Sequence, residues 1–235
     1  MSFTSHDIAA YQGSEVEVYV WDGSSSSATK NKLRGAQNFN TTEERSESRV
    51  GELGLDATKV VYGSASYSVS ITLLIRDLVQ LARISGIDPT VAKRLVVAEF
   101  EPVNMIAWYI DPDDNVTVNV SKYAGGFKSR TSSTPHAVDA NTTCTLEGGA
   151  DLIGSFNGKA ECIQYTGDGS TVEFMIPDTT PAAVGDVYLV ESPAGVINDD
   201  FTFNAADSTT PTYPSVTLDT APDDNSIVRI VYKTT

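Results

Sequence analysis

The sequence predicts a mainly β protein: a large β domain with one helix over residues 1–165, followed by a small β-sandwich over residues 166–235. Three observations carry that expectation. Apolar and polar residues alternate at period two in many short runs, most clearly in SYSVSITL (66–73). Only the segment LLIRDLVQLARISGIDP (73–89) shows a helical stripe. Turn-forming clusters of Pro, Asp, Asn and Gly separate the runs, among them the tetrapeptide PDDN, which occurs at 112–115 and again at 222–225.

The first strand is SEVEVYVW (14–21), with Val16, Val18 and Val20 expected inward and Glu15, Glu17 and Tyr19 outward. DGSSSSATKNK (22–32) reads as a flexible loop. LRGAQNFNTTEERSESRVGELG (33–54) has mixed charges that break any apolar period. It reads as a solvated ribbon, or as a protruding hairpin whose charges pair with a neighbouring subunit. In SYSVSITL, Tyr67, Val69, Ile71 and Leu73 face one way, and Ser66, Ser68, Ser70 and Thr72 the other. The helix follows, with Leu74, Leu78, Leu81 and Ala82 on one stripe and Gly86 and Asp88-Pro89 as its stop. One helix can cover a side of a sheet but cannot make an α/β alternation.

Residues 95–101 read as a strand, and NMIAWYI, NVTVNV, NTTCTLEG and KAECIQYTG continue the sheet, interrupted by the loop KSRTSSTPHAVDAN (128–141). Asn157-Gly158 signals a hairpin turn. After the Gly-rich joint YTGDGS, five short strands (TVEFMI, DVYLVE, DDFTFN, SVTLD and SIVRIVY) predict the small sandwich, supported by the larger domain. Each PDDN reads as a hairpin turn, followed by Val116, Val118 and Val120 on one face in the first case and Val228, Ile230 and Tyr232 in the second.

Composition excludes several functions. Asp111, Asp113 and Asn115 open like a calcium loop, but Val116 and Lys122 stand where such a loop needs its glycine and its bidentate glutamate, so no metal is expected. GSFNGKA (154–160) lacks the glycine spacing and the hydroxyl of a phosphate loop. His6 and His136 have no orienting partner in the sequence, and the paired carboxylates sit in turns and at strand edges, so no enzyme and no cofactor are expected. Cys144 and Cys162 lack CxxC spacing and read as two small core residues, with a disulfide possible. The N-terminal residues lack the basic and apolar regions of a signal peptide, and no apolar run is long enough to cross a membrane. Four N-x-[ST] sequons, at Asn40, Asn115, Asn119 and Asn141, say nothing firm in a chain this rich in Ser and Thr.

The net charge of −15 divides unevenly: residues 1–165 hold 14 basic and 20 acidic side chains, a net −6, and residues 166–235 hold 2 and 11, a net −9. Such acidity repels phosphate and disfavours grip on nucleic acid. It suits either a surface that must not stick to DNA or a protein adapted to a salty medium.

The order of LRGAQNFNTTEERSESRVGELG and then VVYGSASYSVSITLLIRDLVQLARISG, across residues 14–165, resembles the tail tube (major tail) proteins of tailed bacteriophages and archaeal tailed viruses. The stretch DDFTF to SVTLDTAPDDNSIVRIVY is similar to the immunoglobulin-like modules those viruses append to virion proteins. The resemblance implies two packed antiparallel β-sheets with one flanking helix, a tail-tube-like β-sandwich or barrel. It also implies a subunit that assembles with copies of itself and other tail proteins into stacked hexameric rings, with viral DNA passing through the lumen without specific binding. The localisation implied is the virion tail, after synthesis in the host cytoplasm. Lys30, Lys32, Arg34, Glu43, Glu44, Arg45, Glu47 and Arg49 are then the expected subunit or ring-stacking residues. The rival expectations are a capsid decoration or other head-associated protein, which can carry the same sandwich, and a carbohydrate-binding module with Trp21, Trp108 and the ten tyrosines as stacking platforms.

Overall fold

The structure, a computed structural model, describes residues 16–23, 30–34, 36–51, 58–74, 78–87, 100–111, 113–114, 116–133, 143–178, 181–206 and 213–235. Eight strands form the larger unit: β1 (Val16–Asp22), β2 (Asn31–Lys32), β3 (Ala36–Gly51), β4 (Thr58–Leu74), β5 (Val103–Ile110), β6 (Val118–Ser133), β7 (Thr143–Ala150) and β8 (Leu152–Asn157). They hydrogen-bond in the order β2-β1-β5-β6-β7-β4-β3, with β8 also on β6, and every pairing is antiparallel.

The sheet doubles over at β6. Residues 118–127 of that strand pair with β5 and residues 120–125 with β8, whereas residues 128–133 pair with β7. One leaf therefore contains β2, β1, β5, β8 and the start of β6; the other contains β3, β4, β7 and the end of β6. Val18, Val20, Met105 and Ala107 of the first leaf pack against Phe39, Val69, Ile71, Leu73 and Leu146 of the second in one buried cluster. Two packed antiparallel sheets are the arrangement expected from the sequence.

The helix, α1 (Leu78–Ile84), buries Leu81, Ala82 and Ile84 against this core. Its end is closed at Gly86, whose φ is +69°. The Ile87 amide donates to the Ala82 carbonyl at 2.9 Å and the Gly86 amide to the Arg83 carbonyl at 3.3 Å, the two bonds of a Schellman motif. The helix is shorter than expected, because Leu74 is still in β4, opposite Thr143.

Six strands make the C-terminal unit. A sheet of β11 (Val187–Glu191), β14 (Ile227–Lys233) and β9 (Ala160–Thr166) faces a sheet of β10 (Glu173–Met175), β13 (Ser215–Leu218) and β12 (Phe201–Asn204). Phe174, Ile176, Val216, Leu218, Val228, Ile230 and Tyr232 fill the space between them. All five predicted strands are present. KAECIQYTG, expected to continue the larger sheet, instead supplies β9, whose seven residues pair with β14.

The β9-β14-β11 sheet is covered on its other face as well. Ala160, Cys162 and Val231 pack with Trp21, Ile106 and Tyr123 of the first leaf, with Tyr19, Trp108, Phe156 and Leu189 around them. The molecule is thus four β layers with three apolar fillings.

Several expectations need correction. Tyr19 points away from the first core, as expected, but into the third filling and not to solvent. Residues 128–133 of the expected loop are the end of β6, because β7 offers them a ladder. Of the expected strand 95–101, Phe100 and Glu101 are not in a strand, and 95–99 lie outside the described residues. The first PDDN does join a hairpin, β5 to β6, where the Asp114 carboxylate accepts the Val116 and Thr117 amides at 2.8 Å. Val116 lies on that turn and is 80% exposed, while Val118 is buried. The second PDDN is no hairpin: it carries the chain from β13 across to β14 in the facing sheet, with Asn225 at φ +63°. Gly158 has the expected positive φ, +80°, but it too is a crossing, from β8 on one sheet to β9 on another. Ser121 clamps it, donating to the Gly158 carbonyl at 2.7 Å and accepting from the Ala160 amide at 2.9 Å.

Trp21→Ala tests the third filling. The side chain is 4% exposed there, and its removal is expected to cost about 3–5 kcal/mol in urea unfolding, as for other buried tryptophans. A loss no larger than that of a surface substitution would mean that the layers are not coupled.

Candidate assembly surface

The long hairpin is built by β3 and β4, paired from Ala36 opposite Leu73 to Gly51 opposite Thr58. On its other side β4 meets β7 only from Tyr67 to Leu74. Among the described residues, 58–66 are therefore in a ladder with β3 alone, and at about 3.3 Å per residue this ribbon projects about 30 Å. A two-stranded ribbon is marginal by itself in water. Its described flanks are open: residues 42–47 are mostly exposed, and so is Tyr62, at 65%. A bulge between Arg45 and Glu47 is accommodated by Gly63, where a Cβ would fall 2.1 Å from the Ser46 hydroxyl oxygen. The outer edge of β3, 16 residues long, pairs with no strand among the described residues.

The eight expected interface residues divide into two groups. Lys30 and Lys32 are engaged within the chain. Lys30 pairs with Glu161 and lies over the Trp21 ring, 5.3 Å from its centroid. Burial lowers the pKa of its ammonium. Lys32 pairs with Glu17 across the β1–β2 register. Arg34 is exposed beyond β2, its amide bonded to the Gln80 side chain at 3.3 Å. Glu43 and Arg45 lie two apart on β3, 3.8 Å from each other and exposed; Glu44 and Glu47 are exposed on the same strand. Arg49 is also in β3. Residues 24–29 of the preceding loop lie outside the described residues, as do His6 and His136.

Next to the ribbon, the outer face of the second leaf is polar and sparsely charged. The register places Asn38, Thr72 and Thr145 in one row, Asn40, Ser70 and Glu147 in the next, and Thr42, Ser68 and Gly149 in a third. The Thr72 and Thr145 hydroxyls are 3.0 Å apart. The expected wet face of SYSVSITL is this surface.

The opposite face of the larger unit is closed by the C-terminal sandwich. Arg229 of β14, 3% exposed, meets Glu191 of β11 at 3.1 Å and Asp151 at 3.6 Å. Burial works against the guanidinium charge, but the surrounding Tyr123, Glu191, Cys162 and Asp151 favour it more, so its pKa rises. The Gly195 amide donates to the same Glu191 oxygen at 2.6 Å. Beside this group Asn104 spans both units, donating to Gln164 at 2.7 Å and accepting from the Gly126 amide at 2.9 Å. The Trp108 indole donates to the Ala160 carbonyl at 2.9 Å, and Lys159 lies over its ring. Both tryptophans are thus used between layers. Cys144 and Cys162 are free and buried in different clusters, and burial pushes the Cys162 thiol up to about 12. Among the described residues no group of three or more His, Cys, Asp or Glu is placed to hold a metal ion.

No protein-family model matches the sequence, and no curated protein is significantly similar to it. Among solved structures the chain is similar to one from the anti-feeding prophage (AFP) baseplate, with a TM-score of 0.44 and 10% identity over 67% of this chain and 98% of that one. It is similar to one from the PVC sheath-tube complex of an extracellular contractile injection system, with a TM-score of 0.44 and 11% identity over 64% of this chain and 94% of that one. The SPP1 tail tube gives a TM-score of 0.43 and 11% identity over 64% of this chain and 80% of that one.

Two measurements test the polar contacts. Arg229→Met alone leaves Glu191 buried without its partner and is expected to destabilise by about 3–5 kcal/mol, whereas Arg229→Met with Glu191→Leu recovers most of that loss; equal losses would make the pair incidental. The second is a pH titration of Tyr19, which donates to Glu17 at 2.7 Å. Burial and that bond push its phenol up to about 12 from 10.0. The stabilisation is therefore complete below pH 10 and is lost as pH rises towards 12. Burial alone would raise the Glu17 carboxyl, but the bonds from Lys32 and Tyr19 and the lysine charge outweigh it, so its contribution is present above pH 4.5 and is lost below that. Absorbance titration should show a late tyrosine ionisation that is missing in Tyr19→Phe.

Proposed function

We propose that this chain is a viral structural protein that self-assembles into stacked hexameric rings forming a tail tube, through which the genome passes. The observation that carries the reading is the long edge of β3, open among the described residues, continued by a ribbon that no other described strand supports. Such an edge is a template for pairing with another strand, and a protein that keeps one covers it in an assembly. A ring of copies supplies that cover without leaving a free end. The order of ribbon, self-complementary strand and helix is the one that resembles tail tube proteins.

In this reading Arg34, Glu43, Glu44, Arg45, Glu47 and Arg49 make the contact between rings, while Lys30 and Lys32 brace the subunit. The polar face of Asn38, Asn40, Ser68, Ser70, Thr72 and Thr145 lines the channel. Its charges are few and mixed, Glu147 and, opposite Gly149, Lys128 among them, so it offers no run of cations for phosphate to grip and DNA slides without sticking. The C-terminal sandwich then lies outside, because it packs on the opposite side of the larger unit. The two units divide at the Gly158 turn, since β9 belongs to the sandwich. The acidic sandwich serves solubility on the outer surface of the virion tail.

Negative-stain electron microscopy of the purified full chain, at low and high salt, is the test. Hollow tubes or stacked rings are expected. Replacing residues 46–64 with an Asn-Gly turn, which joins the facing residues Arg45 and Ala65, should give a folded subunit that forms no tubes. Normal tubes from that variant would refute the ribbon's role, and cross-sections with residues 170–235 inside the channel would overturn the assignment of faces. A parent chain monomeric at every salt and protein concentration would sink the tube reading.

A further inference from the structure

At the foot of the ribbon lies an open cleft of about 760 Å³, walled by Ser66 and Tyr67 of β4, by Lys128 and Arg130 of β6, and by Asp151. The strand geometry gathers both cations at one glycine. Lys128 stands opposite Gly149 in the β6–β7 register. A bulge follows between Ser129 and Thr131, and it makes Arg130 the extra residue, free of the ladder. The Arg130 guanidinium reaches the same glycine: a Cβ on Gly149 would fall 3.0 Å from one of its nitrogens, so the missing side chain is its seat. Two like charges so placed repel each other, and a chain with 31 acidic and 16 basic side chains has carboxylates to spare for them. Lys30, Lys32, Arg45, Arg229 and Lys233 all have such partners. Lys128 and Arg130 are exposed, and among the described residues neither makes an ion pair. Asp151, the one carboxylate in the wall, is turned to the buried Arg229 at 3.6 Å, and Glu147 is exposed further along β7.

We propose that this cleft binds a phosphate group. The planar fork of arginine fits two oxygens of a tetrahedral oxyanion, lysine adds a point charge, and the polar wall of Ser66 and Tyr67 carries hydroxyl groups. The charge fits as well. Near neutral pH a phosphate ion or monoester carries close to two negative charges, which two cations balance, whereas a single carboxylate leaves one cation unmatched. Two sources share this chemistry, a nucleic-acid backbone and free phosphate. Lys128 lies in the row of Thr42, Ser68 and Gly149, on the face that lines the channel of the proposed tube, so a duplex there passes the cleft. Two cations are a point contact and not a track, which a sliding duplex leaves as readily as it meets. The site belongs to one subunit and does not depend on the tube.

The test is isothermal titration of the full chain with sodium phosphate at low salt and neutral pH, with sodium chloride as the blank. Saturable binding is expected. Lys128→Gln with Arg130→Gln should weaken it about tenfold or more, because both charged donors are lost. Gly149→Val keeps the net charge but fills the seat of the guanidinium, and it should weaken binding to a similar degree. Both variants should keep the parent's melting behaviour, since the two cations are exposed and Gly149 meets only the end of the Arg130 side chain at close range. Repeating the phosphate titration in the presence of a short DNA duplex names the source: a raised apparent Kd means that the backbone takes the site, an unchanged one that free phosphate does, and either supports the cleft. No saturable heat from the parent, or binding that survives the glutamine pair, overturns the proposal. Loss in the glutamine pair with full binding in Gly149→Val overturns it too, because the effect is then net charge without a seat. None of these results requires tubes, so failure here leaves the tube reading standing.

Discussion

The change of partners within β6, just after the bulge at Gly125 and Gly126, is the constraint on which the rest of the structure depends. Before it the strand belongs to one leaf, after it to the other, so this single strand turns one sheet into two facing layers. The site tolerates no side chain. A Cβ on Gly126, at φ +64°, would fall 1.8 Å from an Asp151 carboxylate oxygen. One on Gly125 would fall 2.5 Å from the Tyr123 hydroxyl and 2.9 Å from an Arg229 nitrogen. Backbone freedom and the missing atoms both matter, because the fold of the larger unit and the seat of the sandwich meet at these two residues.

This meeting point explains why a charged cluster is buried between layers otherwise filled by Trp21, Ile106, Tyr123, Cys162 and Val231. Apolar packing holds two sheets together but is indifferent to small slides between them. The bonds of Asn104 to Gln164 and of Arg229 to Glu191 and Asp151 are satisfied at one offset only. Burying charge is costly, and its return here is a single orientation of the sandwich on the larger unit.

Strand edges set the remaining problem. Folding over at β6 buries both faces of the first leaf and leaves the second with a polar outer face and, among the described residues, the edge of β3 without a partner strand. Exposed charges stand along β3 at residues 43–47, and charge on an open edge suppresses indiscriminate pairing.

Periodicity determined much of this protein directly. The alternation in SYSVSITL, the stop at Gly86 and the five strands after residue 170 were legible because side-chain period and turn chemistry act over a few residues. The charged segment 33–54 was legible as a hairpin candidate for the same reason. Partnership was not legible. Nothing local in KAECIQYTG says that β9 joins β14 and not β8, and Asn157-Gly158 and the second PDDN have the turn chemistry of hairpins although they carry the chain between sheets. Lys30 and Lys32 looked like free interface charges because their partners, Glu161 and Glu17, are distant in sequence or on a neighbouring strand. The sequence by itself determined where strands, turns and the helix lie; only the tertiary structure decided which edges pair and which faces are covered, because those depend on long-range packing that leaves no period in the chain.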